Sequence, residues 1–109
     1  MSEAYPYDGP AELREPIKAA LRRVVDPEVA MSIVDVGLVY GVTVTPELVQ
    51  VRMTMTSAAC PATDVIVDEA CAELDRVVPA GLRIAVELVW EPPWTTDRMS
   101  ARAKAFMGW

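Results

Sequence analysis

The apolar positions of this chain change period several times, and each change marks an element. Ile17, Ala20, Leu21 and Val24 recur at helical spacing, with Lys18, Arg22 and Arg23 on the other side. That predicts a helix from about Pro16 to Val25. Pro16 could be its first helical residue, where a missing N–H costs nothing, or residues 11 to 15 could add an earlier turn. Asp26-Pro27-Glu28 should end it, since a residue before proline avoids helical dihedrals. Val29 to Val34 then reads as a loop or short extended piece leading to Asp35. From Leu38 the period becomes two. Leu38, Tyr40, Val42 and Val44 share one face, and Val39, Gly41, Thr43 and Thr45 the other. After a turn at Pro46-Glu47, Val49, Val51, Met53 and Met55 share a face opposite Gln50, Arg52 and Thr54. Two alternating runs this close predict an antiparallel hairpin with one face on a core.

Helical spacing returns after Cys60. Val67, Ala70, Cys71, Leu74 and Val78 make an apolar stripe that Pro79-Ala80-Gly81 terminates. Leu82 to Trp90 alternates again, as a third strand. Pro92-Pro93 ends strand pairing. Asp97 to Met107 reads as a last helix, capped by Asp97 or Thr96, with Met99, Ala103, Phe106 and Met107 on one side. The order helix, hairpin, helix, strand, helix predicts a small two-layer α+β domain. Its sheet should be mostly antiparallel, with helices on one face. Residues 1–9 lack periodicity and read as a flexible tail, leaving residues 10–109 as a single domain.

Composition narrows the class. The chain has 109 residues, 52% of them hydrophobic, enough for one core. Its formal charge is −6, with basic residues scattered, which argues against nucleic acid as a partner. No apolar run reaches the roughly 18–20 residues of a membrane span. No signal peptide is visible at the start, so the cytoplasm is the expected location.

There are two cysteines and no histidine. Ser-His-Asp and Cys-His catalysis within the chain are excluded, as are zinc motifs that use histidine. A disulfide is disfavoured, because the inferred helix would hold Cys60 and Cys71 about 15 Å apart. Cys71 falls on the apolar stripe and reads as a core residue. Cys60 is different. In MTMTSAACPATD a strand runs into two alanines, then Cys60-Pro61, then a helix. With Pro61 as the first helical residue, Cys60 takes the N-cap slot, which usually holds Ser, Thr, Asp or Asn. The free N–H groups and dipole there favour a thiolate. Ala58 and Ala59 leave room for a ligand or metal. The alternative is a buried cysteine that fills space.

Several stretches, in order and at their spacing, carry a resemblance. They are Asp26-Pro27-Glu28, SIVDVGLVYGV at Ser32 to Val42, MTMTSAACPATDVI at Met53 to Ile66, and WEPPWTTDRMS at Trp90 to Ser100. Together they resemble the PaaD-like and SufT-like family of metal–sulfur cluster assembly factors, and the TSAACP form is closer to the SufT-like branch. The match covers about Ile17 to Ser100. The resemblance implies an α+β iron–sulfur assembly domain that matures iron–sulfur proteins without being an enzyme. It singles out Cys60, with Asp26, Glu28 and Asp35 as the accompanying acidic positions.

Thiolates are good ligands for iron–sulfur clusters, which usually take four. One exposed thiol per chain therefore implies transient iron or a transient cluster, not a tightly held cofactor. Such a site would be completed by a second copy in a homodimer, by the assembly machinery or by a client protein. Thr54 and Thr56 could hydrogen-bond near Cys60. Asp26 could equally cap a turn and Glu28 could simply be solvated. Asp35, inside an apolar run, needs a partner or water. Trp90 and Trp94 suit packing, or a partner surface around Pro92-Pro93. Two other classes stay open: a thiol redox enzyme or sensor using Cys60, and an adaptor binding partners through the Trp90–Trp94 loop.

Overall fold

The structure, a computed structural model, describes residues 5–27, 30–55, 63–91 and 93–108. The first helix, α1 (Ala11–Arg22), begins a turn before Pro16, so Pro16 lies inside it. Proline has no N–H for the carbonyl of Glu12, a bond the helix does without. Ile17, Ala20, Leu21 and Val24 are fully buried, as their spacing predicts. Val25 leaves the helix. It enters a two-residue strand, β2 (Val25–Asp26), which pairs antiparallel with β3 (Met31–Ser32). Of the loop or short extended piece expected here, Met31 and Ser32 take the extended form, as one side of a miniature ribbon. It runs into a one-turn helix, α2 (Ile33–Val36), which carries Asp35. Ser32 caps α2 by accepting from the Val34 N–H at 3.2 Å, and Gly37 ends it at φ 83°. Glycine suits that left-handed position because it has no Cβ to clash.

The hairpin is present as β4 (Val39–Val44) and β5 (Leu48–Met53). Thr45 organises its turn, its Oγ1 accepting from the Glu47 and Leu48 N–H groups at 3.3 and 3.1 Å. One face assignment changes. The register slips between Val39 and Gly41, pairing Val39 with Met53 and Gly41 with Arg52, which leaves Tyr40 as the extra residue. Such a bulge puts two residues opposite one and reverses the alternation beyond it. Val39 thus joins Val42 and Val44 on the buried face, against the strict two-residue reading.

Beyond the hairpin the sheet is mixed, not mostly antiparallel. Its order is β1 (Tyr7–Asp8), β4, β5, β6 (Arg83–Leu88). Strand β6 (Arg83–Leu88) lies parallel to β5, from Leu48 opposite Arg83 to Met53 opposite Leu88. The reason is the connection. The helix α3 (Thr63–Asp75) stands between β5 and β6, and a helical crossover returns the chain in the same direction. The other outer strand comes from the stretch read as a loose tail. Tyr5 is buried, and β1 (Tyr7–Asp8) pairs parallel with β4. The Tyr7 hydroxyl donates to the Pro10 carbonyl at 2.6 Å and fixes the bend into α1.

The α+β class stands. Val42, Val49, Val51 and Met53 form one core with Ile17, Leu21, Ile66 and Leu74 from the helices. Burying each such side chain favours folding by about 1.5–3 kcal/mol before the entropy of ordering is counted. Arg23 at the end of α1 meets Glu73 of α3 at 2.7 Å. Cys71 is not in this core; α3 buries Ile66, Ala70 and Leu74, and leaves Cys71 half-exposed beside them. The last helix also differs from expectation. Thr96–Arg98 is a separate 3-10 turn, and α4 (Ala101–Met107) is capped by Ser100, which accepts from the Ala103 N–H at 3.1 Å.

Candidate functional site

The residues singled out by sequence divide into two groups. Glu28, Thr56 and Cys60 lie outside the described residues, Cys60 in the connection between β5 and α3. Asp26, Asp35, Thr54, Trp90 and Trp94 are described. Backbone bonds tie the segments that carry Asp26, Asp35 and Thr54 together at one end of the sheet, and Trp94 reaches α2 through its indole. The Ile33 N–H donates to the Val24 carbonyl at 2.9 Å, and Leu38 N–H to the Ile33 carbonyl at 2.9 Å. The Thr54 N–H then donates to the Leu38 carbonyl at 2.8 Å. On the far side of β5, the Val89 N–H donates to the Met53 carbonyl at 2.8 Å. The last described residues before Cys60 are thus clamped from both flanks. Thr54 is 1% exposed, and its hydroxyl reaches the Met55 carbonyl at 3.5 Å.

Asp26 is 1% exposed, on β2, and its carbonyl accepts from the Ala30 N–H at 2.8 Å. Asp35 finds the partner its apolar surroundings call for. The Ser100 hydroxyl donates to Asp35 Oδ1 at 3.4 Å, and the Ser100 N–H to the Asp35 carbonyl at 2.8 Å. Beside Asp35 a cavity of about 430 Å³ opens, with Arg22, Ser32, Arg102 and Phe106 on its walls. Among the described residues, no three His, Cys, Asp or Glu side chains gather as a metal site would require.

The two tryptophans part company. Trp94 is half-buried against the core, and its Nε1 donates to the Val36 carbonyl at 2.9 Å. Trp90 is 45% exposed. Residues 94–100 form a strap over the α2–β4 corner, and sequence reasoning missed its parts other than Trp94. Arg98 stacks on the Tyr40 ring at 3.8 Å. Its backbone carbonyl lies where a Cβ on Gly37 would have to sit. Gly37 had a visible signal, a glycine directly after the apolar IVDV. Ser100 and Arg98 had none, since their partners are some 60 residues away in sequence.

Cys71 is the one cysteine described. Burial, with a smaller contribution from Asp68, pushes its thiol pKa up. That favours the protonated, unreactive form. Among the described residues no helix is long and apolar enough to cross a membrane.

A family model described as "Iron-sulfur cluster assembly protein" matches residues 14–88. A Bacillus subtilis protein named Fe-S protein maturation auxiliary factor YitW is 45% identical over 88% of this chain and 94% of its own. The Staphylococcus aureus Fe-S protein maturation auxiliary factor SufT is 44% identical over 78% of this chain and 97% of its own. Among solved structures, a domain of unknown function from Bacillus anthracis superposes with TM-score 0.83 at 40% identity, covering 89% of this chain and 92% of that one. A solution structure from Mycobacterium tuberculosis, titled as a protein associated with Fe-S complex assembly and repair, gives TM-score 0.53 at 38% identity, covering 99% and 92%. With most of its length matched by the family model and by relatives of this identity, the chain belongs to the iron–sulfur cluster assembly protein family.

Proposed function

We propose that this protein is a non-enzymatic maturation factor that handles iron or a transient iron–sulfur cluster through Cys60. It would pass that cargo to client proteins with the help of the assembly machinery. The observation that carries this reading is its likeness, over most of its length, to proteins named Fe-S protein maturation auxiliary factors. Two features of the chain support Cys60 as the working thiol. It is the cysteine in the β5–α3 connection, whose first residues are held by the Leu38 and Met53 bonds. Burial pushes the thiol pKa of the other cysteine, Cys71, up, away from the reactive thiolate.

A single thiolate cannot complete a cluster's ligand set. The remaining ligands come from a second chain, a small thiol or the client, and an incomplete set favours release. Asp26 and Asp35, with Glu28 two residues after Asp26 in the sequence, supply carboxylates, which suit a cationic metal. Of the two tryptophans, the exposed Trp90 is the one left to meet a partner. Reducing conditions, as in the cytoplasm, would keep the thiol free.

The test is anaerobic reconstitution followed by iron and acid-labile sulfide assays on wild type, Cys60→Ala and Cys71→Ala. Wild type and Cys71→Ala should carry less than one iron per chain, quickly lost to chelators. Cys60→Ala should carry essentially none. Equal iron in Cys60→Ala and wild type would overturn the assignment.

A further inference from the structure

Strand β6 ends the sheet, and among the described residues nothing pairs with its outer edge. Exposed edges are normally protected by proline, bulges or short strands. Here Arg83–Leu88 is six residues long and in unbroken register with β5. Its only charges are Arg83 and Glu87, both exposed.

The direction of its backbone groups can be worked out. The Arg83 N–H donates to the Glu47 carbonyl and the Val89 N–H to the Met53 carbonyl, at 3.1 and 2.8 Å. Odd-numbered residues therefore face β5. Ile84, Val86 and Leu88 point their N–H and C=O groups outward. In an antiparallel ladder, the residues that exchange hydrogen bonds must both be outward-facing. Self-pairing is thus limited to registers that set even residues opposite even ones. Centring on Ile84 sets Arg83 opposite Ala85, and centring on Val86 sets Glu87 opposite Ala85. Centring on Ala85 sets Arg83 of each copy opposite Glu87 of the other, at the closer, non-hydrogen-bonded positions. It also sets Ile84 opposite Val86. Opposite charges and apolar pairs directly across a ladder stabilise it, and like charges destabilise it.

We infer that β6 is the docking edge for a second copy of this chain, joined antiparallel about Ala85 into one continuous sheet. Arg83 and Glu87 fix the register from the open face, where Glu87 otherwise makes a long 3.5 Å contact with Gln50. On the helical face, Ile84, Val86 and Leu88 are each only partly buried and gain cover from their counterparts. A shallow depression between Cys71 and Ala72 of α3 and Ile84 of β6 leaves room there for the second copy. The pairing uses neither Cys60 nor iron, so it stands or falls apart from the proposed function.

Sedimentation velocity on iron-free protein over a concentration series tests it. Wild type should show a concentration-dependent dimer. Arg83→Glu and Glu87→Arg each place like charges opposite one another twice, and each should raise the dissociation constant about tenfold or more. The double variant should regain the wild-type value. A mixture of the two single variants should form a heterodimer, because each then meets its complement. At concentrations where wild type is monomeric, thermal melts of the single variants should match it, showing that the fold is intact. A wild type that stays monomeric throughout, single variants that dimerise as well as wild type, or a double variant that stays monomeric would overturn the inference.

Discussion

Val51, in the middle of β5, has a valine on either side: Val42 of β4 and Val86 of β6. Val42 is 1% exposed, whereas Val86 is only partly buried. All three side chains share one face of one sheet, so the difference lies in what closes each flank. On the β4 side, β1 pairs with the outer edge, and the strap of residues 94–100 is fastened over the α2–β4 corner. On the β6 side no further strand is present among the described residues. Alternation in a sequence reports which face a side chain takes. Its depth of burial depends on segments that arrive from elsewhere in the chain.

The largest effect belongs to the closed flank. Gly37→Ala adds a Cβ at φ 83°, into space held by the Arg98 backbone. Left-handed strain and a backbone clash combine, so the cost should be about 3 kcal/mol or more. Chemical denaturation measures it. A loss under 1 kcal/mol, of the order of an ordinary surface change, would show that the strap is not firmly seated.

The next experiment tests the comparison itself. Val51→Ala removes methyls from a fully buried site and should cost about 2–3 kcal/mol, while Val86→Ala should cost about 1 kcal/mol, having less burial to lose. Equal losses in denaturant melts of dilute protein would mean that the β6 flank is covered after all. A smaller step follows at the strap. Trp94→Phe keeps an aromatic ring but loses part of the indole's volume and the Nε1 bond to the Val36 carbonyl. It should cost about 1 kcal/mol, and more if the buried carbonyl stays unpaired. No change in the melting temperature would show that water replaces the indole.

Much of the fold was legible because it is local. The Ile17–Val24 stripe and the Val49–Met53 alternation each report the face they bury, whereas in α3 only Ala70 and Leu74 of the expected stripe are fully buried and Ile66, which lay outside it, is buried with them. What was not legible depends on distant partners. Tyr5 and Tyr7 carry no period of their own, yet burial of Tyr5 and two backbone pairings make residues 7 and 8 a strand. The bulge at Tyr40 leaves no mark in an alternating run, and Arg98, which stacks on that ring, lies far away in the sequence. The parallel direction of β6 was missed in favour of a mostly antiparallel sheet, although the helical crossover before it is a topological cue that alternation alone does not contain. At the site, the need of Asp35 for a partner was legible, but the identity of that partner, Ser100, was not.

The smallest predicted effect concerns a contact that spans the helical layer over both flanks. Arg23 Nε donates to Glu73 Oε1 at 2.7 Å, and Arg76 stands 3.9 Å from Oε2. The hydrogen bond from Arg23 holds the Glu73 pKa below its ordinary value, partly opposed by burial and aided by the charges of Arg23 and Arg76. A carboxylate with a lowered folded pKa binds protons more weakly than the unfolded chain does. Its contribution to stability is therefore present above the unfolded value of about 4.3 and is lost as pH falls through the lower, folded value. Because the pair is solvent-facing, the effect on stability should be slight and should shrink with added salt. Its clearest readout is the titration of the Glu73 carboxyl by NMR. Arg23→Gln should move that midpoint up toward the ordinary glutamate value. An unchanged midpoint would mean that the two helices are joined by their apolar contacts alone.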